Sequence, residues 1–94
     1  MNRRIVASDA LRDAIRHLSP ILKGKVKESI EEILRDPSSG KELRDDLAGL
    51  RSYRVGQVRI IYQADRGDVT LVTIGPRKTV YQKAVLEWRA IRSE

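Results

Sequence analysis

The sequence predicts a small α+β domain in which a helical hairpin packs on an antiparallel sheet. Three observations lead to this prediction. Apolar residues between positions 8 and 35 recur with helical spacing. From position 51 to 74 apolar and polar residues alternate instead, as is typical of strands. Helical spacing returns from 78 to about 92. Because the strands are grouped after two helices, we expect the helices on one face of the sheet.

Length and composition favour a single domain spanning residues 1–94. A chain of 94 residues lies at the lower edge of the usual domain size of about 100–150 residues. The chain has no run of about 18 apolar residues, so we expect no membrane span. The apolar stretch before Ser8 is too short for a secretory leader. The chain has no cysteine and one histidine, His17, which argues against disulfides and metal sites. We therefore expect a cytoplasmic protein without a cofactor.

The first half of the chain predicts one strand followed by two helices. Arg3 to Ala7 is short and partly β-branched, which indicates a strand. Ser8 is a suitable cap for a first helix, and Ser19 before Pro20 ends that helix and begins a second one. The apolar faces of the two helices are formed by Leu11, Ala14, Ile15 and Leu18, and by Leu22, Val26, Ile30 and Ile33.

The second half predicts three strands and a last helix, which completes the order β-α-α-β-β-β-α. Breaker residues at 36–40 and a polar connector at 41–49, anchored by Leu43 and Leu47, precede the strands. Gly56-Gln57 suits a type II′ turn between two of them. The predicted strands are Arg51–Val55, Val58–Gln63 and Val69–Ile74, and the predicted helix runs from Lys78 with Val80, Ala84, Trp88 and Ile91 on one side.

The positive charge of the chain is concentrated in its second half. The net charge is +6, and residues 48–94 hold nine basic and four acidic side chains, against ten and nine in residues 1–47. An asymmetry of this kind suggests a polyanionic partner, most commonly a nucleic acid. A basic, solvated surface without a partner is the alternative.

Two arginines face each other in the predicted hairpin. If Gly56-Gln57 forms the turn, Arg54 lies opposite Arg59. Like charges at directly opposed positions are destabilising, so an anion between the two side chains would explain the arrangement. The alternatives are that both guanidinium groups splay into water or that an acidic side chain from elsewhere neutralises them.

Further candidate residues follow the last strand. Arg77 and Lys78 lie just beyond its end, where functional residues often sit on a rigid scaffold. Tyr81 comes four residues after Arg77, which places both on one side of a helix. The alternative for Tyr81 is a half-buried packing aromatic. His17 is expected to be exposed, and Trp88 is expected to be a packing residue.

Two segments together resemble the RelE/ParE toxin superfamily. They are Leu47 to Tyr62, which contains Arg54-Val55-Gly56, and Val72 to Tyr81, which contains Gly75-Pro76-Arg77 and Val80-Tyr81. The order of the upstream helices also agrees. The resemblance implies the toxin of a type II toxin–antitoxin pair, with a cognate antitoxin as partner and no membrane association. It also implies one of two activities: cleavage of mRNA in the ribosomal A site by RelE-like members, or inhibition of DNA gyrase by ParE-like members.

The resemblance also implies which residues form the site. If the chain is RelE-like, the resemblance implies four catalytic residues: Arg54, Arg59, Arg77 and Tyr81. RelE-like members usually have a lysine at the position of Arg54. Ser52 stands where a second lysine is found, and Arg51, Ser52 and Lys78 are expected to contact RNA. The resulting expectation is a metal-independent endoribonuclease that acts on mRNA bound to the ribosome. The alternatives are a ParE-like gyrase inhibitor and an inactive remnant that only binds its antitoxin.

Overall fold

The computed structural model describes residues 3–93, which form helices packed on both faces of a five-stranded sheet. The strand order is β1-β5-β4-β3-β2. Two 3₁₀ turns, at 37–39 and 45–47, interrupt the connector between the second helix and the third strand. The elements are β1 (Arg4–Val6), α1 (Asp9–Arg16), α2 (Pro20–Arg35), β2 (Lys41–Glu42), β3 (Arg51–Val55), β4 (Val58–Ala64), β5 (Asp68–Pro76) and α3 (Arg77–Arg92).

The α+β class and the order of the main elements are confirmed, but two details of the prediction were wrong. The sheet is mixed, because β1 pairs in parallel with β5 while the other pairs are antiparallel. The helices lie on both faces, with α1 and α2 on one side and α3 on the other. The sequence also gave no signal for β2, which pairs with β3 at the start of the predicted connector.

The helical hairpin forms as expected, and serines begin both of its helices. The Ser8 hydroxyl accepts a hydrogen bond from the Leu11 amide at 3.1 Å, and the Ser19 hydroxyl accepts one from Leu22 at 3.4 Å. Each bond satisfies an amide that has no partner within its own helix. The core on this face of the sheet consists of Leu11, Val26, Ile33, Val55, Ile60, Tyr62, Val69 and Leu71.

Helix α3 covers the opposite face with a second apolar core. Its buried members are Leu47, Leu50, Ile61, Val72, Val80, Ala84 and Trp88. The expected burial of Trp88 and the anchoring role of Leu47 are confirmed. Ile91 was predicted on the same apolar side but is exposed, together with the other residues of the last helical turn. The last turn therefore adds little to this core.

The β3–β4 hairpin has the predicted turn and register. Gly56 has φ of +61°, as the first central residue of a type II′ turn requires, and Gln57 has no positive φ. Val55 pairs with Val58, and Arg54 pairs with Arg59. In a two-residue hairpin the closing pair is hydrogen-bonded, so the next pair is not, and non-hydrogen-bonded partners lie closest together. The two arginines therefore occupy the closer kind of pair.

A register shift in the β4–β5 pairing changes which residues of β5 face α3. Ile61 pairs with Thr73 and Tyr62 with Leu71, so Val72 is an extra residue on β5. Beyond this bulge the alternation is reversed, and Gly75 becomes the partner of Arg59. Without the shift, Gly75 would face the α1–α2 side of the sheet.

Charged side chains cover backbone groups at the open edge of the sheet. The Arg12 guanidinium donates to the carbonyl oxygens of Ile5 and Ala7, at 3.3 Å each. The Arg4 amide donates to the carbonyl of Gly67, directly before β5, so the carbonyl of the next residue, Ile5, points away from the sheet. Beyond Thr70, where the pairing with β1 ends, Lys83 Nζ donates to the carbonyl oxygen of Ile74 at 3.2 Å.

Within residues 3–93, no helix is both long and apolar enough to span a membrane. The same residues contain no group of three or more histidine, aspartate or glutamate side chains placed to hold a metal ion.

The Tyr62 hydroxyl joins the sheet to the segment before β2, and removing it should destabilise the fold. The hydroxyl donates to the Pro37 carbonyl at 2.6 Å and accepts from the Gly40 amide at 3.0 Å. Tyr62→Phe leaves the buried Gly40 amide and the partly buried Pro37 carbonyl without this partner, so we expect a loss of about 1–3 kcal/mol in the free energy of unfolding. Urea denaturation measures it. Tyr53→Phe is the matched control and should change stability little; equal effects would contradict this role.

The same residue should make stability depend on pH in alkaline solution. Burial raises the pKa of Tyr62 above its ordinary value of 10.0. Above that ordinary value the unfolded chain releases the phenol proton while the folded chain retains it, so stability falls as the pH rises. Below it, the contribution is fully present. As the pH rises above about 10, the wild type should therefore lose more stability than Tyr62→Phe. Parallel losses would contradict the assignment.

Candidate active site at the hairpin end of the sheet

Register places the predicted catalytic residues at one end of the sheet, on the α3 face. Arg54 and Arg59 are partners on β3 and β4. Val58 pairs with Pro76, the last residue of β5, so Arg77 begins α3 next to this hairpin. Tyr81 lies one turn further along α3. Arg54, Arg59, Arg77, Lys78 and Tyr81 are referred to below as the cationic cluster.

Gly75 allows α3 to begin close to the sheet beside Arg59. A Cβ atom added to Gly75 would lie 3.3 Å from Lys83 Nζ and 3.8 Å from the side chain of Val80. Alanine at this position would need only a small shift of the Lys83 ammonium, whereas a longer side chain would extend toward Val80 and Lys83. The glycine thus leaves room over β5 for the first two turns of the helix that carries Arg77 and Tyr81.

The arginines of the cationic cluster differ in their surroundings. Arg54 is exposed, and its Nε donates to the Gly56 carbonyl at 3.2 Å, so the side chain bends toward the turn. Arg59 is half-buried between β3 and β5, and Arg77 is exposed at the start of α3. One alternative for the arginine pair was that both side chains splay into solvent. This is true of Arg54 but not of the half-buried Arg59.

No acidic side chain neutralises the cluster within the described part of the chain. The ion pairs of residues 3–93 with an N–O distance of 4.0 Å or less involve Arg4, Arg16, His17, Arg35 and Arg51. Arg54, Arg59, Arg77 and Lys78 are absent from these pairs. Guanidinium groups without a carboxylate partner are suited to hold a phosphate, because they present several donors in a fixed fork and stay charged.

Tyr81 and Ser52 meet across the gap between α3 and β3. The Tyr81 hydroxyl lies 3.4 Å from Ser52 Oγ. Tyr81 is half-buried, and its ring packs against the α3 core. The ring therefore takes part in packing, as the alternative for this residue predicts, while the hydroxyl reaches Ser52 on β3. Ser52 itself is buried, with 5% of its surface exposed.

The structure does not bring Arg51 into the cluster. Residues alternate in direction along β3, so Arg51 faces the α1–α2 side while Ser52 and Arg54 face α3. The Arg51 guanidinium pairs with Glu42 at 3.1 Å and donates to the Gly40 carbonyl at 2.8 Å. These contacts hold β2 and the preceding turn against β3. Lys78, the other predicted RNA contact outside β3, is exposed next to Arg77.

Lys83 is a cation near the site that the sequence did not single out. Its Nζ lies over Gly75, the partner of Arg59, and is held by the Ile74 carbonyl at 3.2 Å. The available signal was its place on the predicted helix, six residues after Arg77 and therefore less than two turns away. The distance from Lys83 to the sheet depended on Gly75, which the sequence pattern marked only as a strand terminator.

Comparison with known proteins identifies the family. Residues 6–81 match the family model described as the ParE toxin of the type II toxin–antitoxin system parDE. A search of the curated proteins finds no match.

Solved toxin structures have the same fold. The chain in the RelBE2 toxin–antitoxin complex of Mycobacterium tuberculosis is 27% identical with a TM-score of 0.70, and the match covers 82% of this chain and 100% of that one. A doubly substituted E. coli RelE in the free state is 19% identical with a TM-score of 0.74, covering 92% and 97%. The YoeB–YefM complex of Staphylococcus aureus is 17% identical with a TM-score of 0.67, covering 79% and 95%.

The family model covers most of the chain, and the solved toxins share its fold over nearly their whole length. The chain therefore belongs to the RelE/ParE superfamily of toxins from type II toxin–antitoxin systems.

Proposed function

We propose that this toxin is an endoribonuclease that cleaves mRNA bound in the ribosomal A site and thereby inhibits translation in the cytoplasm. The observation that carries the proposal is the convergence of Arg59, Arg77 and Tyr81 on one end of the sheet without a carboxylate partner. This arrangement combines phosphate-binding cations with a hydroxyl that can exchange a proton. These are the groups needed to cut RNA with the nucleophile that RNA itself provides.

The proposed reaction uses the 2′-hydroxyl of the nucleotide before the scissile bond. Its oxygen attacks the adjacent phosphorus while its proton passes to the deprotonated Tyr81 oxygen, which acts as general base. The bond from phosphorus to the 5′-oxygen of the next nucleotide breaks, and that oxygen takes up a proton from water and leaves as a hydroxyl. The products are a 2′,3′-cyclic phosphate and a 5′-hydroxyl. Since the nucleophile belongs to the substrate, the step requires no metal-bound water.

The arginines supply electrostatic stabilisation in this proposal. Negative charge accumulates on the phosphate oxygens as the 2′-oxygen attacks, and fixed cations favour that state over the ground state. Arg77 would bind the scissile phosphate and the leaving oxygen, and Arg59 would brace the phosphate from the sheet opposite Arg54. Arginine is a poor proton acceptor because it stays charged. Tyr81 is therefore the residue of the cluster suited to acid–base work.

The ribosome has a specific part in this proposal. The cluster contains neither a histidine nor a carboxylate, so its acid–base power is weak. Precise placement of the 2′-hydroxyl in line with the leaving oxygen can replace much of that power. A ribosome that holds the message in a fixed conformation would supply this placement.

A cognate antitoxin is the second proposed partner, since RelBE2 and YoeB–YefM are toxin–antitoxin complexes. A groove of about 330 Å³ between α1, α2 and the edge of the sheet is suited to such a partner. Its floor is apolar and its rim carries cations, which fits an acidic, amphipathic segment. The floor includes Ile5, Ile15, Ile30 and Leu71, and the rim Arg12, Arg16, Lys23 and Lys27.

A ParE-like inhibitor of DNA gyrase is the second candidate function. The observation that favours it is the family model itself, which describes a ParE toxin and covers residues 6–81. Such an inhibitor binds a protein and needs no catalytic residues. The arginine and tyrosine set at the end of the sheet would then have no chemical role.

Two assays of the purified wild-type protein distinguish these functions. We expect cleavage of mRNA on programmed ribosomes, little cleavage of the same RNA free in solution, and no inhibition of DNA supercoiling by gyrase. Products should carry a 2′,3′-cyclic phosphate and a 5′-hydroxyl. Equal cleavage of free and ribosome-bound RNA would contradict the role of the ribosome. Supercoiling inhibition without RNA cleavage would establish the gyrase function instead.

Tyr81→Phe tests the general base. The substitution keeps the packed ring and removes only the hydroxyl, so the protein should fold normally. We expect single-turnover cleavage of ribosome-bound mRNA to slow by about 10²–10⁴-fold, the usual range for losing an acid–base group. The pH dependence of the rate should also change. Tyr53→Phe, on the opposite face of the sheet, is the matched control and should cleave at the wild-type rate. Equal rates for Tyr81→Phe and wild type would remove Tyr81 from the mechanism.

Arg59→Ala and Arg77→Ala test the phosphate-binding role. Both should abolish toxicity in cells and most ribosome-dependent cleavage while leaving the fold intact. Arg59→Ala also relieves repulsion with Arg54, so its free energy of unfolding should be unchanged or higher by up to about 1 kcal/mol. Arg66→Ala is the control, because it removes the same charge at the opposite, exposed end of β4. A fully toxic Arg59 or Arg77 variant, or one that unfolds, would contradict the assignment.

A further inference from the structure

We propose that Ser52 is a positioning residue that holds the Tyr81 hydroxyl in place for proton transfer, and does not itself contact RNA. The inference rests on the proposed nuclease function and adds a second residue to its acid–base part. Its basis is the contact between Ser52 Oγ and the Tyr81 hydroxyl at 3.4 Å.

Burial separates Ser52 from any RNA bound at the cluster. Only 5% of the Ser52 surface is exposed, whereas Arg54, two residues later on the same face of β3, is exposed. A ligand that reaches Arg54 therefore finds almost none of the Ser52 surface open to contact. The expectation that Ser52 binds RNA directly does not fit this placement.

The sheet fixes the position of the Ser52 hydroxyl. Ser52 lies between Lys41 of β2 and Ile61 of β4, so the backbone that carries it is paired on both sides. Ile61 is fully buried, which anchors the neighbouring strand. Serine has one side-chain torsion before its oxygen, so a rigid backbone leaves Oγ little freedom.

Tyr81 in contrast needs an external constraint. It projects from the second turn of α3, and the first turn has no side-chain cap, because Pro76 occupies the capping position. Its ring is held by the apolar core, but the hydroxyl lies at the edge of that core. Within the described chain, the hydrogen-bond partner of that hydroxyl is Ser52.

The contact also suits a proton acceptor. Either hydroxyl can donate while both are neutral. Once Tyr81 has given up its proton, only Ser52 can donate, and a hydrogen bond to a charged oxygen is shorter and roughly twice as strong as a neutral one. The bond therefore tightens in the state in which Tyr81 is ready to accept the 2′-hydroxyl proton.

A double-mutant cycle on programmed ribosomes tests the inference. Ser52→Ala should slow single-turnover cleavage by up to about 100-fold, the scale of a catalytic group displaced by about 1 Å. The affinity for the ribosome should stay unchanged, since Ser52 is not at the RNA surface. Ser52→Thr, which keeps the hydroxyl, should restore most of the rate. In the Tyr81→Phe background, Ser52→Ala should have no further effect.

The controls separate positioning from general damage and from failure of the proposed function. Ser29→Ala removes a hydroxyl from the opposite side of the molecule and should not alter the rate. With ¹³C-labelled tyrosine, the ring Cζ resonance of Tyr81 should shift in Ser52→Ala and not in Ser29→Ala. If the rate losses of Ser52→Ala and Tyr81→Phe multiply in the double variant, or if Ser52→Ala cleaves at the wild-type rate, the inference is overturned while the proposed function stands. A wild-type protein that cleaves no ribosome-bound mRNA would overturn the proposed function and the inference together.

Discussion

The burial of β4 on both faces is the constraint on which the structure depends. Ile60, Ile61 and Tyr62 are consecutive, and each is fully buried. Because neighbouring side chains on a strand point to opposite faces, this run requires a core on each side of the sheet. The helical hairpin provides one core and α3 provides the other. A helix on each face also leaves the end of the sheet open, and the polar residues of the β3–β4 hairpin gather there.

The candidate site depends on how the strands are paired more than on any single sequence motif. The type II′ turn makes Arg54 and Arg59 partners, and the bulge on β5 then places Gly75 beside Arg59. Helix α3 starts two residues later with Arg77 and Tyr81 in its first two turns, and its Val80 and Lys83 lie over Gly75. A shift of one residue in either pairing would place these groups on opposite faces of the sheet.

The sequence predicted those features that depend on local chemistry. Serine caps, the Gly56 turn and the Arg54–Arg59 pairing follow from residue types and short spacings, and the structure has them. The parallel pairing of β1 and the location of α3 depend on contacts distant in the chain, which periodicity does not report. One signal for the second core was present in the sequence: Ile61 is apolar, although it shares a face of the hairpin with Ser52, Arg54 and Arg59. The contact of Ser52 with Tyr81 could not be predicted, because it joins β3 to α3 across 29 positions of the chain.

The side chains that cover the sheet edge bear on how the protein behaves at high concentration. An open strand edge is a template on which another chain can add a strand. Here, Arg12 occupies the outward carbonyls beside β1, and Lys83 occupies the carbonyl of Ile74. A second molecule would have to displace a charged donor from each stretch and leave that charge close to its own backbone. Arg12 and Lys83 therefore oppose the addition of a foreign strand along this edge by occupying the backbone groups that it would need.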